Sequence, residues 1–261
     1  MDRDKIQQLI NERGIKSAEE LQALINEVSA QQNALGRPEF FGLSPNQMQW
    51  MLYEPFEPES PFGFKVASDE TLNEVPFLRV CEAMLKHTVL QQSPFKLTES
   101  TGSLPVKVVK AVYETGGYRD PNIEQGIAKL YKETDCELLH VAKLILEMAG
   151  ITRKAKGKWH LTKAGEKITR PEQRNQLFQL IFKAFFQKYN WPYLDAYPGL
   201  SHHFPQSGAA FSLSVLSQFG AEARPADFYA TCYIRAFPAF LTEEKMHGDI
   251  PFAISDDLHS C

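Results

Sequence analysis

No stretch of this chain approaches the roughly 18 uninterrupted apolar residues that a membrane-spanning helix requires, so no span and no membrane partner are expected. Cysteine is scarce. Cys81, Cys136, Cys232 and Cys261 stand far apart with no C-x-x-C pair, which argues against a disulfide framework and fits thiols kept reduced in the cytoplasm. The opening segment MDRDKIQQLINERG is charged and periodic and lacks the basic-then-apolar layout of a secretory signal. A surplus of positive charge is also missing. The formal net charge is -4, so any attraction to nucleic acid must come from a local patch. Catalytic signatures are absent too: there is no H-E-x-x-H and no G-x-S-x-G, and Gly157-Lys158-Trp159 lacks the Ser or Thr that follows the lysine of a phosphate-binding loop.

Apolar residues make up 43% of the 261 and charged residues 23%, which places the chain among folding globular sequences and away from disordered ones. A chain of this length buries enough core to need no metal or disulfide for stability.

Two helices are expected over residues 2–32. Ser17 and Glu20 have the spacing of a capping box, and Leu21, Leu24, Ile25 and Val28, with Leu9 and Ile10, supply the apolar stripe of a helical hairpin. Ser44-Pro45 reads as an N-cap followed by an N1 proline, opening a short helix through Met48, Met51 and Leu52. The three prolines of 54–62 predict an extended connection anchored by its phenylalanines.

From Pro76 a long helix carries Phe77, Val80, Met84, Leu85 and Thr88 on one side. Residues 95–98 form a strand candidate, and Thr101-Gly102-Ser103 a turn whose serine would cap a helix over 104–115 with Val108, Val109 and Val112 on one face. A polar insertion follows at 117–134, with a further helix expected from Pro121 to Lys132. Asp135 then opens a strongly apolar helix (Leu138, Leu139, Ala142, Ile145, Leu146, Ala149) that Gly150 closes. Two strand candidates, 151–154 and 159–162, flank the turn Ala155-Lys156-Gly157-Lys158, and a helix begins at once with Lys163. Helix, strand, helix, helix, hairpin is the order of a winged helix-turn-helix, with 95–98 as the third strand of its sheet.

The remainder reads as helical. Residues 174–188 are apolar nearly all round, with Phe178, Phe182, Phe185 and Phe186, and should be buried between layers. After the aromatic loop Trp191-Pro192-Tyr193 and a polar loop at His202-His203, a helix from Pro225 places Phe228, Tyr229, Cys232, Tyr233 and Ala236 on one face until Pro238 ends it. The expected fold is mainly α, with a winged helix-turn-helix-like module and its small β-sheet flanked by helical regions. In chain order these are a helical hairpin (1–35), a short helix and Pro-rich connection (36–75), the winged-helix-like module (76–168) and a C-terminal helical domain (169–261).

Three pieces occur in a recognisable order: Leu43-Ser44-Pro45-Asn46-Gln47-Met48 running into Leu52-Tyr53-Glu54-Pro55-Phe56, then Leu97 to Pro105, then Leu161-Thr162-Lys163-Ala164-Gly165. Together they resemble the helical accessory region of bacterial proteins grouped as plasmid open-reading-frame-three-like or transposon-passenger proteins. The resemblance covers roughly residues 43–168. It implies a helical accessory architecture in a regulatory or mobile-element context, no reaction, and no functional residue to carry over.

Two functional readings stay open. In one, the hairpin is a wing whose Arg153, Lys154, Lys156 and Lys158, with His160 and Lys163, meet nucleic-acid phosphates. Against it, the helix expected to enter the major groove offers Asp135, Glu137, His140, Lys143 and Glu147, a net acidic set without the Arg, Asn or Gln that read bases. In the other, favoured reading, the module contacts protein or self-associates, through the aromatic C-terminal half, the arm at 54–62 and the polar N-terminal hairpin. Cys136 and His140 lie one helical turn apart, and His202-His203 could lend an imidazole, but a zinc site needs three or four converging ligands, so no metal or other cofactor is expected. Asp256-Asp257 near His259 sit in a terminal segment unsuited to holding a general base in place.

Overall fold

The computed structural model describes residues 3–90, 94–195 and 204–239. In chain order the elements are α1 (Arg3–Arg13), α2 (Ala18–Ala34), α3 (Pro45–Tyr53), α4 (Asp69–Asn73), α5 (Pro76–Leu90), β1 (Phe95–Lys96), α6 (Val106–Thr115), α7 (Pro121–Glu124), α8 (Glu137–Met148), β2 (Thr152–Ala155), β3 (Lys158–Leu161), α9 (Lys163–Ile168), α10 (Arg174–Gln187), α11 (Trp191–Asp195), α12 (Phe204–Ser207), α13 (Ala209–Phe219) and α14 (Ala226–Ala236). The protein is mainly helical with one small antiparallel sheet. Two compact units form, one from Met1–Gly63 with Trp191–Cys261 and the other from Phe64–Asn190. This grouping cuts across the sequential division: α10 belongs with the segment before it, and the helices after it with the N-terminal ones.

In the first unit, Ser17 Oγ accepts the Glu20 N–H at 3.1 Å while the Glu20 carboxylate accepts the Ser17 N–H at 3.2 Å, the reciprocal capping expected. Arg13 pairs with Glu27 at 2.6 Å across the α1–α2 hairpin. Ser44 and Gln47 form a second capping box at the start of α3, whose Met48 and Met51 are buried. The core is closed by α13, through Ala209, Ala210, Phe211 and Val215. Ser212, Ser214 and Ser217 interrupt the apolar pattern of this helix, so its periodicity does not announce it. Phe41, held at φ 53°, sets its ring 6.3 Å from Phe211 and 5.7 Å from Phe219. Tyr233 of α14 leans over Gly208, where a Cβ would stand 2.3 Å from the phenol oxygen.

The arm at 54–62 is folded, not extended. Glu57 N–H reaches Glu54 O at 3.2 Å and Ser60 N–H reaches Glu57 O at 3.0 Å, giving two successive turns. Pro55 and Pro58 occupy the second position of each, where a fixed φ favours the turn. Phe56 and Phe62 meet edge to face at 5.8 Å. Trp191-Pro192-Tyr193, expected as loop, begins α11.

In the second unit α5 and α8 are the central helices. Leu78, Val80, Cys81, Ala83, Met84 and Leu85 of α5 are all buried, more than the single face expected. The sheet has the order β1-β3-β2, so the strand from 95–96 does complete it. Phe95 and Trp159 stack at 6.4 Å beneath it. Val108, Val109 and Val112 of α6 are buried as their spacing requires.

Helix α6 starts at Val106, not at Leu104, and Ser103 does not cap it. Pro105 excludes its predecessor from helical geometry, and the Ser103 Oγ accepts from Thr101 Oγ1 at 2.8 Å. The helix expected over 121–132 stops at Glu124, because Gly126 turns to φ 73° and sends the following N–H groups of Ile127 and Ala128 back to Asn122 O. A 3-10 turn at Glu133–Asp135 precedes α8, which begins two residues later than expected. Gly150, at φ 72°, ends α8: its N–H bonds Glu147 O and the Ile151 N–H bonds Leu146 O, a Schellman closure.

Helix α10 buries Leu177, Ile181 and Ala184, while Phe178 is half-buried and Leu180 is 39% exposed, so it is not apolar core on every side. Arg174 fixes its start. The guanidinium donates to Glu82 at 2.6 Å, Asp69 at 2.9 Å and Asn73 at 2.8 Å, and the carboxylates of Glu82, first, and Asp69 raise its already high pKa further. Helix α4, which supplies two of those acceptors, was not anticipated; Ser68 caps it.

Candidate nucleic-acid interface

The hairpin forms because its turn residues tolerate what a two-residue connection demands. Lys156 and Gly157 both have positive φ, 50° and 68°, as a type I′ turn requires. The register that follows pairs Thr152 with Leu161, Arg153 with His160, Lys154 with Trp159 and Ala155 with Lys158. On the other side of β3, Phe95 pairs with Trp159 and Lys96 with Lys158.

Strand alternation then sorts the six candidate residues. Phe95, Thr152, Lys154, Trp159 and Leu161 share the inner face, on which Trp159 is fully buried and its indole N–H donates to Glu147 of α8 at 3.0 Å. Lys96, Arg153, Lys158 and His160 share the outer face. Lys154 is therefore turned toward α8, with its ammonium 3.8 Å from Glu147. Lys156 is exposed at the tip of the turn, and Lys163 lies off the sheet as the first residue of α9. His160 Nε2 lies 3.2 Å from Ala155 O. Of the six residues expected to act together, only Arg153, Lys158 and His160 share this outer face, and they share it with Lys96. A signal for Lys96 was present: next to an inward-facing Phe95, strand alternation puts it outside.

Among the described residues, neither Arg153 nor Lys158 has a carboxylate within ion-pair distance. Lys96 meets Glu99 at 3.1 Å, with both side chains largely in solvent. Lys107 and Lys110, on α6, are exposed as well.

The base of the hairpin is locked to α9 by Leu161-Thr162-Lys163-Ala164-Gly165. Thr162 Oγ1 accepts the Gly165 N–H at 2.9 Å and donates to Gly150 O at 2.7 Å. Gly165 packs against the backbone of Ile151 so closely that a Cβ would stand 2.1 Å from its carbonyl oxygen. This explains the motif in structural terms, as a cap and a close approach.

Helix α8 does not offer the polar surface expected of it. Leu139, Val141, Ala142, Lys143, Ile145 and Leu146 are buried, and of the residues of α8 only Glu137 is exposed. Lys143 forms a buried ion pair with Glu133 and donates to Gly102 O at 3.1 Å, while the second Glu133 oxygen accepts the Leu104 N–H at 2.9 Å. Glu147 is engaged by Trp159 and Lys154, and Asp135 accepts the N–H groups of Tyr131 and Lys132. The polar side chains read as a groove-facing stripe thus hold the loop at 102–104 and the hairpin onto the helix.

Cys136 is buried, which raises its thiol pKa, and burial lowers the pKa of His140, reinforced by Lys143 and Lys154 and opposed by Glu133 and Glu137. His140 Nδ1 is buried without a hydrogen bond. Among the described residues no three His, Cys, Asp or Glu side chains converge as a metal site would need. His202, His203, Asp256, Asp257 and His259 lie outside the described residues. No described helix is long and apolar enough to cross a membrane.

No protein-family model matches this chain, and no curated protein or solved structure is significantly similar to it.

Proposed function

We propose that the chain is a non-catalytic binding protein built on a winged-helix-like core, and that this core engages a protein partner or a second copy of itself and does not read base sequence. The core is α5, β1, α6, α8 and the β2–β3 hairpin, in winged-helix order. The observation that carries the reading is the interior position of α8. A helix that reads a major groove must present side chains to base edges, whereas Lys143 and Glu147 are committed to the fold. The connection between α6 and α8 supports it further: it carries its own helix, α7, and exposes Ile127 and Tyr131, apolar surface suited to a protein contact. Buried thiols at Cys81 and Cys136 fit a cytoplasmic protein, and the resemblance over 43–168 fits a bacterial regulatory or mobile-element setting. Light scattering across a wide concentration range, together with affinity capture, tests the reading. Self-association or a reproducible partner lost on Ile127→Ser/Tyr131→Ser supports it, and a concentration-independent monomer with no such partner counts against it.

A second reading, contact with nucleic-acid phosphates through the hairpin, is favoured by one specific observation: Arg153 and Lys158 stand on one face with no described carboxylate to neutralise them. Retardation of random duplex DNA at low salt tests it.

A further inference from the structure

We infer that the outer face of the three-stranded sheet, and not the hairpin as a whole, is a sequence-independent binding site for a nucleic-acid phosphate backbone, formed by Lys96, Arg153 and Lys158 beside His160. This rests on the second reading above and narrows it to three cations, one of them outside the hairpin.

The register places Lys96 directly across from Lys158, and Arg153 directly across from His160 on the neighbouring rung. Neighbouring strands run about 4.8 Å apart and successive same-face residues about 6.8 Å apart, so the three cations crowd a patch on the order of 10 Å wide. Like charges directly opposite one another destabilise a sheet, so folding alone does not favour the Lys96–Lys158 rung. Lysines on edge strands commonly serve to block strand-to-strand aggregation, but Lys158 lies on β3, the central strand, where no edge needs guarding. What a crowded cationic face does favour is a closely spaced polyanion: the exposed Glu99 offsets Lys96 alone, so phosphates supply the counter-charge that Arg153 and Lys158 lack and release their own condensed ions on binding.

Among the described residues the outer face carries no Phe, Tyr or Trp ring, since Phe95 and Trp159 both point inward, and its one ring is the His160 imidazole, whose Nε2 lies 3.2 Å from Ala155 O. Stacking on splayed bases, the usual device of single-strand binders, therefore has no large aromatic platform here, and the three cations address the backbone. Lys154 is drawn to Glu147 on the opposite face, and Lys163 lies off the sheet, so neither contributes.

Fluorescence anisotropy with labelled random-sequence duplexes, one DNA and one RNA, separates the possibilities using the full chain and its Lys96→Gln, Arg153→Gln, Lys158→Gln, Lys154→Gln and Lys163→Gln variants. All five sites are surface positions, and circular dichroism of each variant checks the fold. The inference predicts that each of the first three weakens binding roughly tenfold at ~50 mM salt and makes the salt slope shallower by about 0.9, while the last two stay within about twofold. DNA and RNA binding to a similar degree is expected of a backbone site, and tight preference for one of them overturns sequence-independent backbone contact. Equal losses from Lys154→Gln and Lys163→Gln overturn the outer-face assignment and leave phosphate contact by the hairpin standing. Absence of any binding at low salt overturns both.

Discussion

Helix α8 and the outer face of the sheet lie in the same compact unit and carry similar polar side chains, yet those side chains do opposite things. On α8, Lys143 is 4% exposed and bound to Glu133, and Glu147 holds Trp159. On the sheet, Arg153 and Lys158 face solvent with no described carboxylate beside them. A polar residue on an amphipathic helix is usually taken as solvated. Here the helix is enclosed on several sides, by α5, α10, β2 and the turn at Glu133–Asp135, so its charges had to be paired inside.

The comparison breaks most visibly at the buried pair. Lys143→Met should cost about 3–5 kcal/mol, since it leaves the Glu133 carboxylate buried without its cation, and Lys143→Met with Glu133→Leu should recover only part of that loss, because the Leu104 N–H and Gly102 O lose their partners. Urea denaturation reads both. A change below about 0.5 kcal/mol would mean that Lys143 is a surface residue after all. Gly165→Ala comes next, at about 1–3 kcal/mol, because a Cβ there meets the Ile151 carbonyl and forces α9 away from the base of the hairpin.

A pH series sharpens the contrast at His140. Burial favours its neutral form, so the unfolded chain binds the proton more readily than the folded one. Its contribution to stability is whole above the ordinary value of 6.5 and is lost as pH falls through that value toward the lower folded one. His140→Gln should flatten this limb of the stability profile, and an unchanged limb would contradict the assigned burial. The smallest effect has the opposite sign. Lys158→Gln relieves the rung with Lys96 and should raise stability by about 0.2–1 kcal/mol while lowering any affinity for polyanions.

Much of the architecture could be read from local chemistry. The Ser17 and Ser44 caps, the Lys156-Gly157 turn, the valine face of α6 and the terminal Gly150 each depend on a few adjacent residues whose geometry admits few alternatives. Errors arose where a local rule met a competing one. Ser103 has the right chemistry for a cap, but Pro105 moved the helix start beyond it. The prolines of Glu54-Pro55 and Glu57-Pro58 can extend a chain or turn it, and here they turn it. For the candidate site, the sequence showed which residues carry charge but not which charges remain unspent. That depends on which elements fold together: Glu147 of α8 pairs with Lys154 of β2, Lys96 joins Lys158 across 61 intervening positions, and Glu133 reaches Lys143 from the preceding turn.

Selection of bound duplexes from a random-sequence library tests most directly the claim that α8 is spent on the fold and reads no base. The bound pool should be indistinguishable in sequence from the input. Enrichment of a defined motif, sensitive to substitution of Glu137 or His140, would mean that side chains of α8 reach base edges, and would contradict the account.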